Sequence, residues 1–251
     1  MASQAALHPV NGSRLSGTRI ANRFVVRRFL GKDEIGERYA CTDSSNQALV
    51  SVQVVEPDLL FSAPDFAARY VRAFAAVAPI RSSGVLKVID VAQTDDALVI
   101  VSDYLEATSL AEYVAEYGAV PSDLAVELFF ELAECLAAVH QAGHVHGSVC
   151  PEHILVSQQG GHLSGSLSAF VTSRILDLLP PAQQRLAPYF APDRTEPPSI
   201  ADDIFAFGAS LLEVLIAARP SANLFDYLEA NRQLSPEIVG LIKQCMAPSA
   251  Q

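Results

Sequence analysis

The spacing of the apolar residues changes once along this chain, and that change limits the fold more than any single motif does. Between residues 24 and 101 the apolar residues fall in short runs at 24–30, 38–43, 48–55, 85–92 and 97–104, with the length and β-branched content of strands. One helical stretch interrupts them at 64–77, where Pro64 stands near the first turn and Phe66, Tyr70, Phe74 and Val77 repeat at helical spacing. After the connector Tyr104-Leu105-Glu106 the pattern is helical. Residues 122–142 carry Leu128, Leu132, Leu136 and Val139 on one face and stop at Gly143, and 204–218 and 236–246 follow. Strands first and helices second, without alternation, predict an α+β chain with a strand-rich first part and a mainly helical second part.

Half of the 251 residues are apolar, enough for a sizeable core and too many for a disordered chain. A formal charge of −11 without a basic patch argues against nucleic acid or an anionic membrane as partner. Arg14, Arg19, Arg23, Arg27 and Arg28 are spread along a polar leader and first strand, which reads as a solvated edge. Cys41, Cys135, Cys150 and Cys245 form no CxxC pair, so a zinc ribbon or disulfide framework is not expected, and a reducing cytoplasm is. The first residues lack the charged head and apolar run of a signal peptide. The most apolar segment, 204–218, contains Glu213 and is too short to span a bilayer, so no membrane insertion is expected.

The chemistry-bearing stretch is His146-Gly147-Ser148-Val149-Cys150-Pro151-Glu152-His153-Ile154-Leu155-Val156. It resembles the catalytic loop of protein kinases, His-Arg-Asp followed by Lys-Pro-x-Asn and an apolar strand. His146, Pro151, Glu152 and 154–156 match. Gly147 stands for the Arg, Ser148 for the catalytic-base Asp, Cys150 for the Lys and His153 for the metal-binding Asn. Motifs in kinase order extend this resemblance from residue 24 to the end. Leu30-Gly31-Lys32-Asp33-Glu34-Ile35-Gly36 is similar to the glycine-rich loop, with Asp33 for its middle glycine. A carboxylate about 4 Å from a phosphate costs roughly 4 kcal/mol at an effective dielectric of 20. A turn role for Asp33 is the plainer reading. Arg38 replaces the Val expected on the adenine face, Gln53 the phosphate-binding Lys, and Ala73 that Lys's Glu partner. Ala169-Phe170-Val171 stands for Asp-Phe-Gly, and 191–193 for the closing Ala-Pro-Glu. No Ser, Thr or Tyr lies between Arg174 and Pro188, so loop phosphorylation lacks an acceptor there.

The resemblance implies a protein-kinase-like bilobal fold: a leader at 1–22, a small β-rich N-lobe with one helix at 23–103, and a mainly helical C-lobe at 104–251, shortened at its C-terminus. It implies that Val77, Val88, His146 and Phe170 form an apolar spine, with Asp203 binding catalytic-loop backbone. Any nucleotide would meet Gly31, Asp33, Gly36, Gln53, Ser102, Tyr104 and Leu155. With Gln53, Ala73, Ser148, Cys150, His153 and Ala169 at the chemical positions, the expectation is a pseudokinase: no enzyme, no Mg-ATP cofactor and no metal. It would serve as a scaffold or allosteric module for a protein partner, either an active kinase or another region of a longer chain. The alternative is a degenerate kinase that still binds nucleotide or performs unconventional transfer, with Lys32 or Lys87 supplying the missing charge. His144, His146, Cys150 and His153 also have the ligand types for zinc, and Cys150 beside His153 those for a nucleophile. Packed loop residues are the plainer reading of all four.

Overall fold

The computed structural model describes residues 16–33, 35–80, 82, 84–93, 97–194, 196–220 and 234–247. These fall into two compact units, Met1–Ala78 with Lys87–Leu105, and Pro79–Leu86 with Glu106–Gln251.

The first unit is built on a six-stranded antiparallel sheet. Its strands are β1 (Arg19–Ile20), β2 (Phe24–Lys32), β3 (Gly36–Asp43), β4 (Leu49–Val55), β5 (Val88–Gln93) and β6 (Leu98–Asp103), in the order β1-β2-β3-β4-β6-β5. Alternation puts Tyr39 and Cys41 of β3, Val50 and Val52 of β4, and Val99 and Val101 of β6 into one apolar cluster with Ile20, Phe24 and Val26. β1 lies inside the segment expected to be a leader; it pairs Ile20 with Phe24 and buries Ile20 in this core. Two helices follow β4, α1 (Pro57–Ser62) and α2 (Phe66–Val77). The expected helix thus starts two residues beyond Pro64, and a short one precedes it. α2 buries Phe66, Tyr70, Ala73 and Val77, the helical stripe of the sequence with Ala73 in place of Phe74.

Three of the arginines, Arg23, Arg27 and Arg28, are more than a solvated edge, and Arg14 lies outside the described residues. Arg23 forks onto Asp43 at 2.9 and 2.6 Å and reaches Asp90 at 3.1 Å, while Arg27 donates to Thr42 and Arg28 to the Tyr104 hydroxyl, both at 2.8 Å. The guanidinium bonds hold the Asp43 carboxyl well below the usual carboxylate range, against the opposing effect of its burial.

In the second unit α3 (Leu110–Tyr117) and α4 (Ser122–Gln141) lead to a hairpin of β8 (Ile154–Gln159) and β9 (His162–Leu167), with β7 (Thr108–Ser109) alongside β8. Ser109 and Glu112 form a reciprocal capping box at the start of α3. After α5 (Pro180–Leu186) comes α6 (Ile200–Ile216), which begins four residues before the apolar run because Ser199 and Asp202 make a second capping box. α6 is buried along most of its length and contacts α7 (Pro236–Cys245), which Ser235 caps. Part of the C-lobe expected to be shortened, 221–233, lies outside the described residues.

α6 ends on Ala217, which is exposed and left-handed at φ 52°. A Cβ in that region costs roughly 1–2 kcal/mol, partly offset in glycine by its freer unfolded chain. Ala217→Gly is therefore expected to stabilise the domain by roughly 0.5–1 kcal/mol, about 1–3 °C in Tm. A thermal melt with no gain, or with a loss, would contradict the strain.

Candidate functional site

In the first unit the turn between β2 and β3 is closed by its own side chain. Asp33 Oδ1 accepts the N–H groups of Ile35 at 2.9 Å and Gly36 at 3.1 Å, and the Asp33 N–H donates to Gly36 O at 3.1 Å. Asp33 thus has the turn role that its residue type suggests. It also makes a contact that spacing alone did not reveal. β3 and β4 pair in the register Arg38↔Gln53, and from β4 the Gln53 amide donates to Asp33 Oδ1 at 2.7 Å and lies 3.5 Å from Gly36 O. Arg38 Nε stands 3.9 Å from Asp33 Oδ2. Gly36 can be nothing larger, since a Cβ there would sit 1.9 Å from Val54 O. Lys32 pairs with Glu56 at 2.6 Å instead of standing in for the missing lysine. Gly31 lies in β2, Ser102 pairs with Ser51 across β4 and β6, and Tyr104 holds Arg28. Ala73 and Val77 are buried on α2, and Val88 is half-buried in β5.

In the second unit the loop 146–156 is organised by Asp203, which is completely buried in the first turns of α6. Its carboxylate accepts the N–H groups of His146 at 2.8 Å and Gly147 at 2.6 Å, and the Nε2–H of His140 at 2.8 Å. The His146 ring donates from Nε2 to Ser168 O at 2.8 Å, so the neutral ring can accept the Ser148 N–H at Nδ1, 3.2 Å away. Burial lowers its pKa to about 4. His146 stacks on Phe170 with centroids 4.3 Å apart. His153 Nδ1 donates to Ser148 O at 2.6 Å, and Ser168 returns two hydrogen bonds to His153 O. Leu155 is half-buried in β8, opposite Ser109 and Ser166.

The zinc and nucleophile readings do not gain a geometry. Cys150 is fully buried, and burial drives its thiol pKa far upward, away from a reactive thiolate. Among the described residues no three His, Cys, Asp or Glu side chains are placed to hold a metal ion.

Gly147 does more than omit an arginine. Its φ is 75°, and a Cβ would come within 2.8 Å of Pro198 Cγ and Ser173 Cβ. Ser173 Oγ donates to His146 O at 2.7 Å, and Arg194, stacked on Phe190, donates to Gly147 O at 3.3 Å. Gly147→Ala is expected to cost about 2 kcal/mol, from backbone strain plus the collision. A urea titration showing less than about 0.5 kcal/mol would mean that the loop relaxes freely.

Glu152 was marked only as a matching position. It accepts from Arg185 and, at 2.6 Å, from Arg219, linking the loop to α5 and to the segment after α6. His140 and Ser168 escaped sequence reasoning because nothing in their spacing ties them to the loop.

A strand-rich unit followed by a helical unit, with an aspartate-anchored His-x-x loop before a hairpin, defines a kinase-like domain. The protein kinase domain family matches residues 24–250, and the chain belongs to that family. It is 26% identical over 209 residues to the serine/threonine-protein kinase pkn2 of Myxococcus xanthus, covering 79% of this chain and 25% of that one. It is also 26% identical over 215 residues to the serine/threonine-protein kinase PkaB of Streptomyces coelicolor, covering 80% and 50%. The chain thus spans a quarter to a half of the length of these relatives. The crystal structure of the Mycobacterium tuberculosis PknI kinase domain matches with a TM-score of 0.70 at 21% identity, over 92% of this chain and 90% of that one. The fold is that of a protein kinase, with a β-rich N-lobe and a helical C-lobe.

Two expectations are corrected by these relatives. The chain is expected from its residues to be no enzyme and to need no Mg-ATP, whereas its family is the protein kinase domain and its named relatives are serine/threonine-protein kinases, a class of enzymes that uses nucleotide and metal. Residue types at single positions do not establish the absence of activity or of a cofactor. The usual donors are nevertheless not at those positions: an amide stands at 53, an imidazole at 153 and a methyl at 169. At these positions a nucleotide and metal would meet an amide, an imidazole and a methyl in place of the family's lysine, amide and carboxylate.

Proposed function

We propose that this chain is a divergent kinase-family signalling domain that works as an allosteric protein-binding module, with nucleotide as the ligand it responds to. The observation that carries the reading is the contrast within one loop. Asp203 and Ser168 anchor the start of 146–156 by hydrogen bonds to His146 and Gly147, while the positions that would transfer phosphate carry other groups. The partner is an active kinase or another region of a longer chain. The free cysteines fit a reducing cytoplasm, and no helix among the described residues is long and apolar enough to cross a membrane. The test is co-purification of the chain with the active kinases of its own cell, with and without Mg-ATP. A complex whose yield changes with Mg-ATP is expected, and no complex under either condition would remove the partner from the proposal.

A second reading is phosphoryl transfer from ATP by an unconventional route; the relatives' names, serine/threonine-protein kinases, support transfer as such. Labelled ATP with several divalent metals decides it. Incorporation into the chain or a generic acceptor supports transfer, and none at equimolar enzyme rules it out.

A further inference from the structure

The β2–β3 turn, with side chains from β3 and β4, gathers anion donors around an anion of its own. In the kinase arrangement a glycine-rich loop covers the phosphates and the lysine of the third strand reaches them. Here the backbone N–H groups of Ile35 and Gly36 and the side-chain amide of Gln53, at that lysine's position, all point at one atom, Asp33 Oδ1, at 2.9, 3.1 and 2.7 Å. The other carboxylate oxygen faces Arg38 Nε at 3.9 Å, and that nitrogen has no hydrogen bond. Successive N–H groups converging with an amide and a guanidinium form a concavity suited to a phosphate oxygen. The carboxylate has the charge and the acceptor geometry to fill it.

We propose that Asp33 is a built-in occupant of a phosphate seat made by Ile35, Gly36, Gln53 and Arg38, and that it sets how strongly the domain holds the phosphate chain of a nucleotide. A phosphate entering the seat displaces the carboxylate from three hydrogen bonds and then lies beside its charge. Asp33 therefore penalises the phosphate chain without touching the nucleoside. This deepens the reading above, on which it rests only in supposing that the phosphate arrives on a nucleotide.

The test is calorimetric titration of the wild-type chain, Asp33→Gly and Asp33→Asn with ATP, adenosine and inorganic tripolyphosphate, with and without magnesium. Asp33→Gly is expected to bind ATP and tripolyphosphate at least tenfold tighter than wild type, with adenosine unchanged. Asp33→Asn keeps an acceptor for the same donors and loses the charge, so a smaller gain is expected, and it decides the question should Asp33→Gly fail to fold. Adding Arg38→Ala to Asp33→Gly is expected to return part of the gain. Equal gains for adenosine and ATP would indicate general loosening and overturn the proposal, as would no gain for tripolyphosphate. Gain in the variant with no binding by the wild type would instead leave the seat standing and remove nucleotide response from the function. Equal binding by both would do the reverse.

Discussion

Asp203→Ala is expected to destabilise the domain by about 4 kcal/mol. The side chain has no exposure and accepts two backbone N–H groups and the His140 ring. Alanine leaves the His146 and Gly147 N–H groups buried without an acceptor, at roughly 1–3 kcal/mol each, and strands the His140 donor. Burial pushes the Asp203 pKa up, but the His140 hydrogen bond and the two backbone N–H groups outweigh it and hold the carboxyl below its ordinary value. Asp203→Asn keeps an oxygen for one amide and places an NH2 against the other donors, so about half the loss is expected. Urea unfolding measures both. A loss under about 1 kcal/mol for alanine, with an unchanged m value, would show that the loop does not depend on this carboxylate.

Acid is expected to remove about 3 kcal/mol of stability between pH 6.5 and 4 through His146 alone. The folded pKa is about 4 because the ring is buried, against 6.5 for the free side chain. Above 6.5 neither state holds the proton, and the contribution is fully present. As the pH falls toward 4 the unfolded chain takes the proton and the folded chain does not, so stability declines; below 4 both are charged and the loss is complete. At 1.36 kcal/mol per pH unit, that interval gives the figure stated. Asp203 adds a further loss below its ordinary 3.8, since its folded pKa is lowered. In His146→Gln, which can still donate to Ser168 O but cannot be protonated, the slope of stability against pH between 6.5 and 4 should flatten. An unchanged slope would assign the acid sensitivity to other groups.

The sequence carried the order of the parts and the identity of the loop, because both depend on local patterns. Leu128, Leu132 and Leu136 mark α4, and 154–156 marks β8, by spacing and composition alone. It was silent on β1 and α1, which are two and six residues long and too short for a periodic signal. It read Asp33 and Gln53 as two separate substitutions. Their hydrogen bond spans 20 residues of chain and exists only in the register Arg38↔Gln53, which single-strand patterns do not specify. Gly147 looked like a deleted arginine, whereas the left-handed backbone and the packing of Pro198 and Ser173 make the position one that rejects side chains. The step from changed residues to absent cofactor failed for a related reason. A motif records which groups are missing, but not which remaining donors converge.

The most direct test of nucleotide as the ligand of this domain is a calorimetric titration of the wild-type chain with Mg-ATP, repeated as a thermal scan. One saturable event per chain is expected, with a gain of about 2.7 kcal/mol in stability once the nucleotide reaches 100 times its Kd. No saturable heat and no shift in Tm up to millimolar nucleotide would contradict it.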